Sequence, residues 1–184
     1  MLRTSRIGLV LAGAITLSAC GDGVTPPTQF PSPSPTPPPL ETIVIYGDSG
    51  GVPPDSAIAI DFGIPSAGTV EATVDWTFAS SDVWVAMTTR ACDDFMQAFL
   101  GQCSHIGTPN LGNLKPKTVS GAVTQGGPGR LWIANFATVN ESMAIQITLT
   151  RPRSASASVI LEPFARSWVL VPNATAGALR AFQN

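Results

Sequence analysis

Val70-Glu71-Ala72-Thr73-Val74-Asp75-Trp76-Thr77-Phe78 alternates apolar with polar side chains along its whole length. Successive side chains of a strand point to opposite faces, so this stretch predicts a strand with Val70, Ala72, Val74, Trp76 and Phe78 on a core and the intervening residues in water. The same alternation occurs upstream in Ile58, Ile60 and Phe62, and downstream in Val83, Val85 and Met87 and in Met143, Ile145, Ile147 and Leu149. Weaker strand candidates are Ile43 to Tyr46, Thr118 to Val123 and Arg130 to Phe136. Gly47-Asp48, Pro65-Ser66-Ala67-Gly68, Ser80-Ser81-Asp82 and Gly126-Gly127-Pro128-Gly129 supply the expected turns. About seven short strands with turns between them and no long amphipathic helix predict an all-β, antiparallel two-sheet sandwich over residues 41–150.

Composition narrows the function. Only 12 % of the 184 residues are charged, and there are 17 Gly and 17 Pro, which argues against coiled coils and helical bundles. The net charge is -2, with 10 Lys plus Arg and no basic run, so no row of phosphates is matched and no nucleic-acid partner is expected. One His, three Cys and one Tyr leave few groups for proton transfer near neutral pH or for a soft metal site.

The N-terminus is an address. Arg3 and Arg6 precede an apolar stretch from Ile7 to Ala19, too short to span a bilayer, and residues 1–19 are expected to be a signal peptide. Leu17-Ser18-Ala19-Cys20 resembles the bacterial lipobox. The resemblance implies diacylglycerol on the Cys20 sulfur, cleavage before it, and a lipid bilayer as partner; Gly21 after the cysteine implies export to an outer membrane or cell surface. Removing residues 1–19 leaves eight basic against 12 acidic side chains, a mildly acidic mature chain. Residues 20–40 hold the lipidated cysteine and the run Phe30-Pro31-Ser32-Pro33-Ser34-Pro35-Thr36-Pro37-Pro38-Pro39. Such a run reads as a disordered, polyproline-like tether with a reach on the order of 60 Å. In an exported chain the remaining pair, Cys92 and Cys103, reads as one disulfide, closing a loop in which Asp93 to Leu100 can form a turn or two of helix.

Gly63 to Trp76, with Ser81-Asp82-Val83-Trp84-Val85 and Arg130-Leu131-Trp132-Ile133-Ala134-Asn135-Phe136, resembles the pre-peptidase C-terminal, collagen-binding-like family of bacterial domains. That likeness implies a jelly-roll-like sandwich, non-catalytic, appended to exported proteins. Family members often carry Asp-aliphatic-Asp after the tryptophan strand, whereas this chain has Asp82-Val83-Trp84.

Four constellations bear on chemistry. Gly47-Asp48-Ser49-Gly50-Gly51 copies the nucleophile string of chymotrypsin-like proteases, but the only histidine, His105, follows it and no barrel precedes it, so a Gly-rich turn is the expectation. His105 without a second histidine or a free thiolate makes no zinc site. Asp48, Asp55, Asp82, Asp93 and Asp94 lie in expected loops; Asp82, Asp93 and Asp94 are the weak candidates for a structural calcium, against the commoner role of turn-forming aspartates. If Val83 and Val85 face the core, Trp84 points outward, and Trp132 does the same in one register of its strand. Both are candidate ligand-binding side chains unless the C-terminal segment, with Val159-Ile160-Leu161 and Trp168-Val169-Leu170-Val171, covers them.

The expectation is therefore a membrane-anchored, exported, non-catalytic binding or assembly module of the cell envelope. Its ligand is a protein or a polysaccharide, it needs no cofactor, and residues 151–184 form a β-rich extension packed on the sandwich. The alternative is an envelope hydrolase using loop carboxylates, which requires two of them to converge in a cleft.

Overall fold

The computed structural model describes residues 36–153 and 168–171. The expected signal peptide, Cys20, the first part of the proline run, and residues 154–167 and 172–184 of the C-terminal extension lie outside the described residues. The described elements are β1 (Leu40–Val52), β2 (Ser56–Ile64), β3 (Gly68–Trp76), β4 (Val83–Thr89), α1 (Phe95–Phe99), β5 (Asn110–Gly112), β6 (Lys117–Val123), β7 (Gly127–Asn135), β8 (Glu141–Pro152) and β9 (Trp168–Leu170).

The first eight strands pair as nested antiparallel ladders, β1 with β8, β2 with β7, β3 with β6 and β4 with β5, as in one long hairpin. Pairing of β3 with β8 and of β4 with β7 folds that hairpin over into two sheets, ordered β1-β8-β3-β6 and β5-β4-β7-β2-β9. This is a jelly-roll arrangement, with β9 added at one edge. Period two decides which residues enter the core: Val70, Ala72, Val74, Ile145, Ile147 and Leu149 from the first sheet meet Ile58, Ile60, Phe62, Val83, Val85, Met87, Leu131 and Ile133 from the second. Each large aliphatic side chain buried this way contributes roughly 1.5–3 kcal/mol.

Two expected turns are strand instead. Gly47 to Gly51 lie inside β1, where they face Gln146 to Ser142 of β8, and the ladder breaks register only at a bulge between Val44 and Tyr46. The Trp168 ring lies where a Cβ on Gly50 would sit, 2.8 Å from the nearest ring carbon. Gly127 to Gly129 likewise open β7 opposite Ile64 to Phe62, and the Phe62 ring fills the space of a Cβ on Gly129, at 2.6 Å. In both places glycine is needed because an aromatic ring covers the backbone, not because the chain reverses.

Strand directions define two poles. Leu40 pairs with Pro152 at one pole, where the chain enters the sandwich, and Val52 pairs with Glu141 at the other. The links β1–β2, β3–β4, β5–β6 and β7–β8 all turn at the second pole, called here the loop pole. Among the described residues no helix is long and apolar enough to cross a membrane.

Candidate functional site

The side chains favoured from sequence occupy the outer face of the second sheet, and they are covered. Trp84 and Trp132 do point away from the main core, as period two requires, but they are only 4 % and 1 % exposed. They are covered, and among the described residues mainly by α1 rather than the C-terminal segment, which corrects their candidacy as exposed ligand-binding side chains: Phe95 meets Trp84 edge-on at 5.6 Å and Trp132 at 6.0 Å, and Phe99 meets Trp84 at 5.2 Å and Phe136 at 6.0 Å. Among the described residues the C-terminal segment adds Val171 to this second cluster. Three devices hold the cover down. Cys92 and Cys103 form the expected disulfide, with an S–S distance of 1.99 Å. Asp94 caps α1 by accepting from the Gln97 N–H at 3.1 Å. Arg130 grips Asp61 through two bonds of 2.6 and 3.1 Å while donating to Asp93 and to the Cys92 carbonyl, each at 3.1 Å. The hydrogen bond with Asp61 is the main reason the Arg130 guanidinium is held charged above its ordinary range.

Of the three calcium candidates, Asp93 and Asp94 are thus engaged in the ion pair and the helix cap, and Asp82 is an exposed residue just before β4. Among the described residues no three His, Cys, Asp or Glu side chains come together as a metal-binding group. Ser49 and His105 lie on different sheets. Ser49 is on β1, while His105 bridges Thr88 of β4 and donates from Nε2 to the Ala98 carbonyl at 3.0 Å.

The loop pole brings together groups that sequence reasoning missed. Phe78 was expected to continue β3 into the core; the strand stops at Trp76, and Phe78 is 49 % exposed in the β3–β4 link. Leu114 in the β5–β6 link is 82 % exposed and Val139 in the β7–β8 link 43 %. The one available signal was that Leu114 and Val139 are large apolar residues isolated between turn formers, outside any period. Phe78, Leu114 and Val139 thus expose apolar surface on three separate links at one pole.

These links are held by buried and half-buried polar side chains. Glu141, 1 % exposed, accepts from the Phe78 N–H at 3.1 Å through Oε2 and from the Ser81 hydroxyl through Oε1. The Asn135 amide is within hydrogen-bond distance of the carbonyls of Val52, Pro53 and Val139, at 3.2, 3.1 and 2.9 Å, and accepts from the Ala137 N–H at 3.0 Å. Lys115 donates to the Trp76 carbonyl and to that of Thr77 at 3.2 Å and pairs with Asp75 at 3.3 Å, tying the β5–β6 link to the end of β3. Lys117 is buried, with its ammonium 5.6 Å from the Trp76 ring centre and 3.4 Å from the Asn110 amide oxygen. Burial pushes its pKa down, and the charge of Asp82 only partly opposes this. A buried polar group without a partner is costly, so each of these residues fixes the conformation of the link it touches. At the same pole, on the outer face of the first sheet, an open groove of ≈ 240 Å³ is lined by Ser49, Asp75, Thr77, Ser142 and Ala144.

No protein-family model and no curated protein matches the chain. Among solved structures it is similar to the crystal structure of Yersinia pseudotuberculosis-derived mitogen, with 16 % identity and a TM-score of 0.40, covering 65 % of this chain and 92 % of that one. It is also similar to a family two carbohydrate esterase from Cellvibrio japonicus, with 14 % identity and a TM-score of 0.29, covering 61 % of this chain and 33 % of the esterase chain. These likenesses carry no argument about what this chain binds or does.

Proposed function

We propose that the chain is an exported, lipid-anchored, non-catalytic module of the bacterial envelope that binds a protein partner through its loop pole. The observation that carries this reading is the exposure of Phe78, Leu114 and Val139 on three links stiffened by Glu141, Asn135 and Lys115. Sites supported by locked neighbours lose little entropy on binding. The chain enters the sandwich at Leu40, at the pole opposite these links. A protein partner suits this surface better than a polysaccharide. Of the three exposed residues Phe78 alone offers a ring to stack on a sugar, and Trp84 and Trp132 lie under α1.

The test is affinity capture from envelope extract with the mature protein and with Phe78→Ser/Leu114→Ser. A protein retained by the parent, lost by the double variant and still retained by a Thr148→Ser control on the open sheet face supports the reading. Equal retention by the parent and the double variant contradicts it.

A further inference from the structure

β9 is a three-residue strand on the open edge of β2, with Ile58, Ala59 and Ile60 opposite Leu170, Val169 and Trp168. Among the described residues its hold is the Trp168 ring, a few backbone bonds and the packing of Val171. The Trp168 ring lies over Gly50 of β1, its Nε1 donates to Asp48 Oδ2 at 3.1 Å, and the Tyr46 hydroxyl donates to the same oxygen at 3.3 Å. The Val171 N–H donates to the Ala57 carbonyl at 3.1 Å. Val169 and Leu170 stay half exposed and add little apolar burial.

The receiving side is built for this occupant. Gly50 removes the Cβ that would collide with an indole, Asp48 supplies an acceptor at the reach of the indole N–H, and the β2 edge offers backbone partners in extended register. A strand added to a sheet edge with one side-chain pocket is a general way of reading a peptide. Among the described residues, the hydrogen bonds that hold this strand come from residues 48–60, while Trp168 also packs on the main core and Val171 on the aromatic cluster under α1. Nothing in these contacts requires the two segments to belong to one chain.

We infer that the seam between β1 and β2 is a recognition slot for an extended peptide reading Trp-aliphatic-aliphatic, filled in cis by β9 and open in trans to β9 of a second copy. A covalently linked occupant competes at an effective concentration on the order of millimolar, so exchange is visible once the resident strand is disabled.

The test uses the full mature chain in two variants. Trp168→Ala keeps the slot and loses its ligand; Gly50→Val keeps the ligand and blocks the slot. A fluorescent peptide of residues 165–172 should bind Trp168→Ala saturably, at least tenfold more weakly to the parent, and not at all to Gly50→Val; adding Asp48→Ala to Trp168→Ala should weaken binding severalfold. An equimolar mixture of the two variants should give a 1:1 complex in native mass spectrometry that neither gives alone. No peptide binding to a Trp168→Ala chain that is folded by circular dichroism, or equal binding to Gly50→Val, overturns the slot; peptide binding without the mixed complex overturns the second copy as its occupant. Should Trp168→Ala not fold, the parent decides: millimolar peptide should speed hydrogen exchange at the Val171 amide, and unchanged exchange overturns the inference.

Discussion

Glu141 joins the fold to the proposed contact surface, and its removal should be felt in both. The side chain is buried at the start of β8, and its two oxygens accept from the Phe78 N–H and the Ser81 hydroxyl, fixing both ends of the segment that presents Phe78. A hydrogen bond to a charged group is worth about 1.5–3 kcal/mol, and a buried donor left alone costs about 1–3 kcal/mol more. Glu141→Ala removes both bonds, strands the Phe78 N–H and opens a void, so a loss of about 3–5 kcal/mol is expected. Glu141→Gln keeps the volume: its carbonyl can accept from Phe78 while its amide donates to the Ser81 oxygen, and the loss should fall to about 1–2 kcal/mol. Urea unfolding with unchanged slope measures the loss, and hydrogen exchange at the Phe78 amide locates it. In Glu141→Gln that amide should exchange faster while the amides of β7 keep their protection. A Glu141→Ala loss below about 1 kcal/mol, or a Phe78 amide unaffected by either change, would refute the claim that this carboxylate holds the link.

Cys92→Ser/Cys103→Ser opens a loop with a sequence separation of 11, and the chain-entropy relation gives a loss of about 3 kcal/mol, to be read as a fall in thermal midpoint with a red shift of Trp84 and Trp132 fluorescence. Lys117→Met should stabilise the protein at pH 7 by about 1 kcal/mol, because a desolvated ammonium is replaced by an apolar chain of similar length. The folded-state pKa of Lys117 lies below its ordinary 10.5, so the unfolded chain binds more protons between the two values; the parent gains stability as pH rises through that window, and its gap to Lys117→Met should narrow in urea titrations at pH 10. Cys20→Ala should move the protein from the membrane to the soluble fraction, and unchanged fractionation would sink the proposed anchor.

The sandwich was legible because period two is a backbone property that survives tertiary context, as Val70 to Trp76 and Met143 to Leu149 show. The glycine strings were not. A glycine has no side chain to display a period, and whether Gly50 and Gly129 are turn or strand is decided by the Trp168 and Phe62 rings, remote in the chain. The outward direction of Trp84 followed from its neighbours Val83 and Val85, but its cover did not, since the five residues of α1 are too few to show a helical period. The Cys92–Cys103 bridge was readable from an even cysteine pair in a chain whose N-terminus reads as an export signal. Phe78 was misplaced because the alternation runs past Trp76 while the ladder ends there, where Trp76 pairs with Met143 near the start of β8. Leu114 and Val139 carried no periodic signal, being single apolar residues in links. The surface proposed for binding is thus where sequence pattern says least.

The central claim is that a partner protein sits on the loop pole. Placing a photo-cross-linking amino acid at Leu114, at Phe78 and, as a control, at Thr148 on the open face of the first sheet tests it in intact cells. The account predicts that irradiation yields a discrete protein adduct from positions 114 and 78 and none from position 148. Adducts formed only at 148, or at all three positions alike, would contradict it.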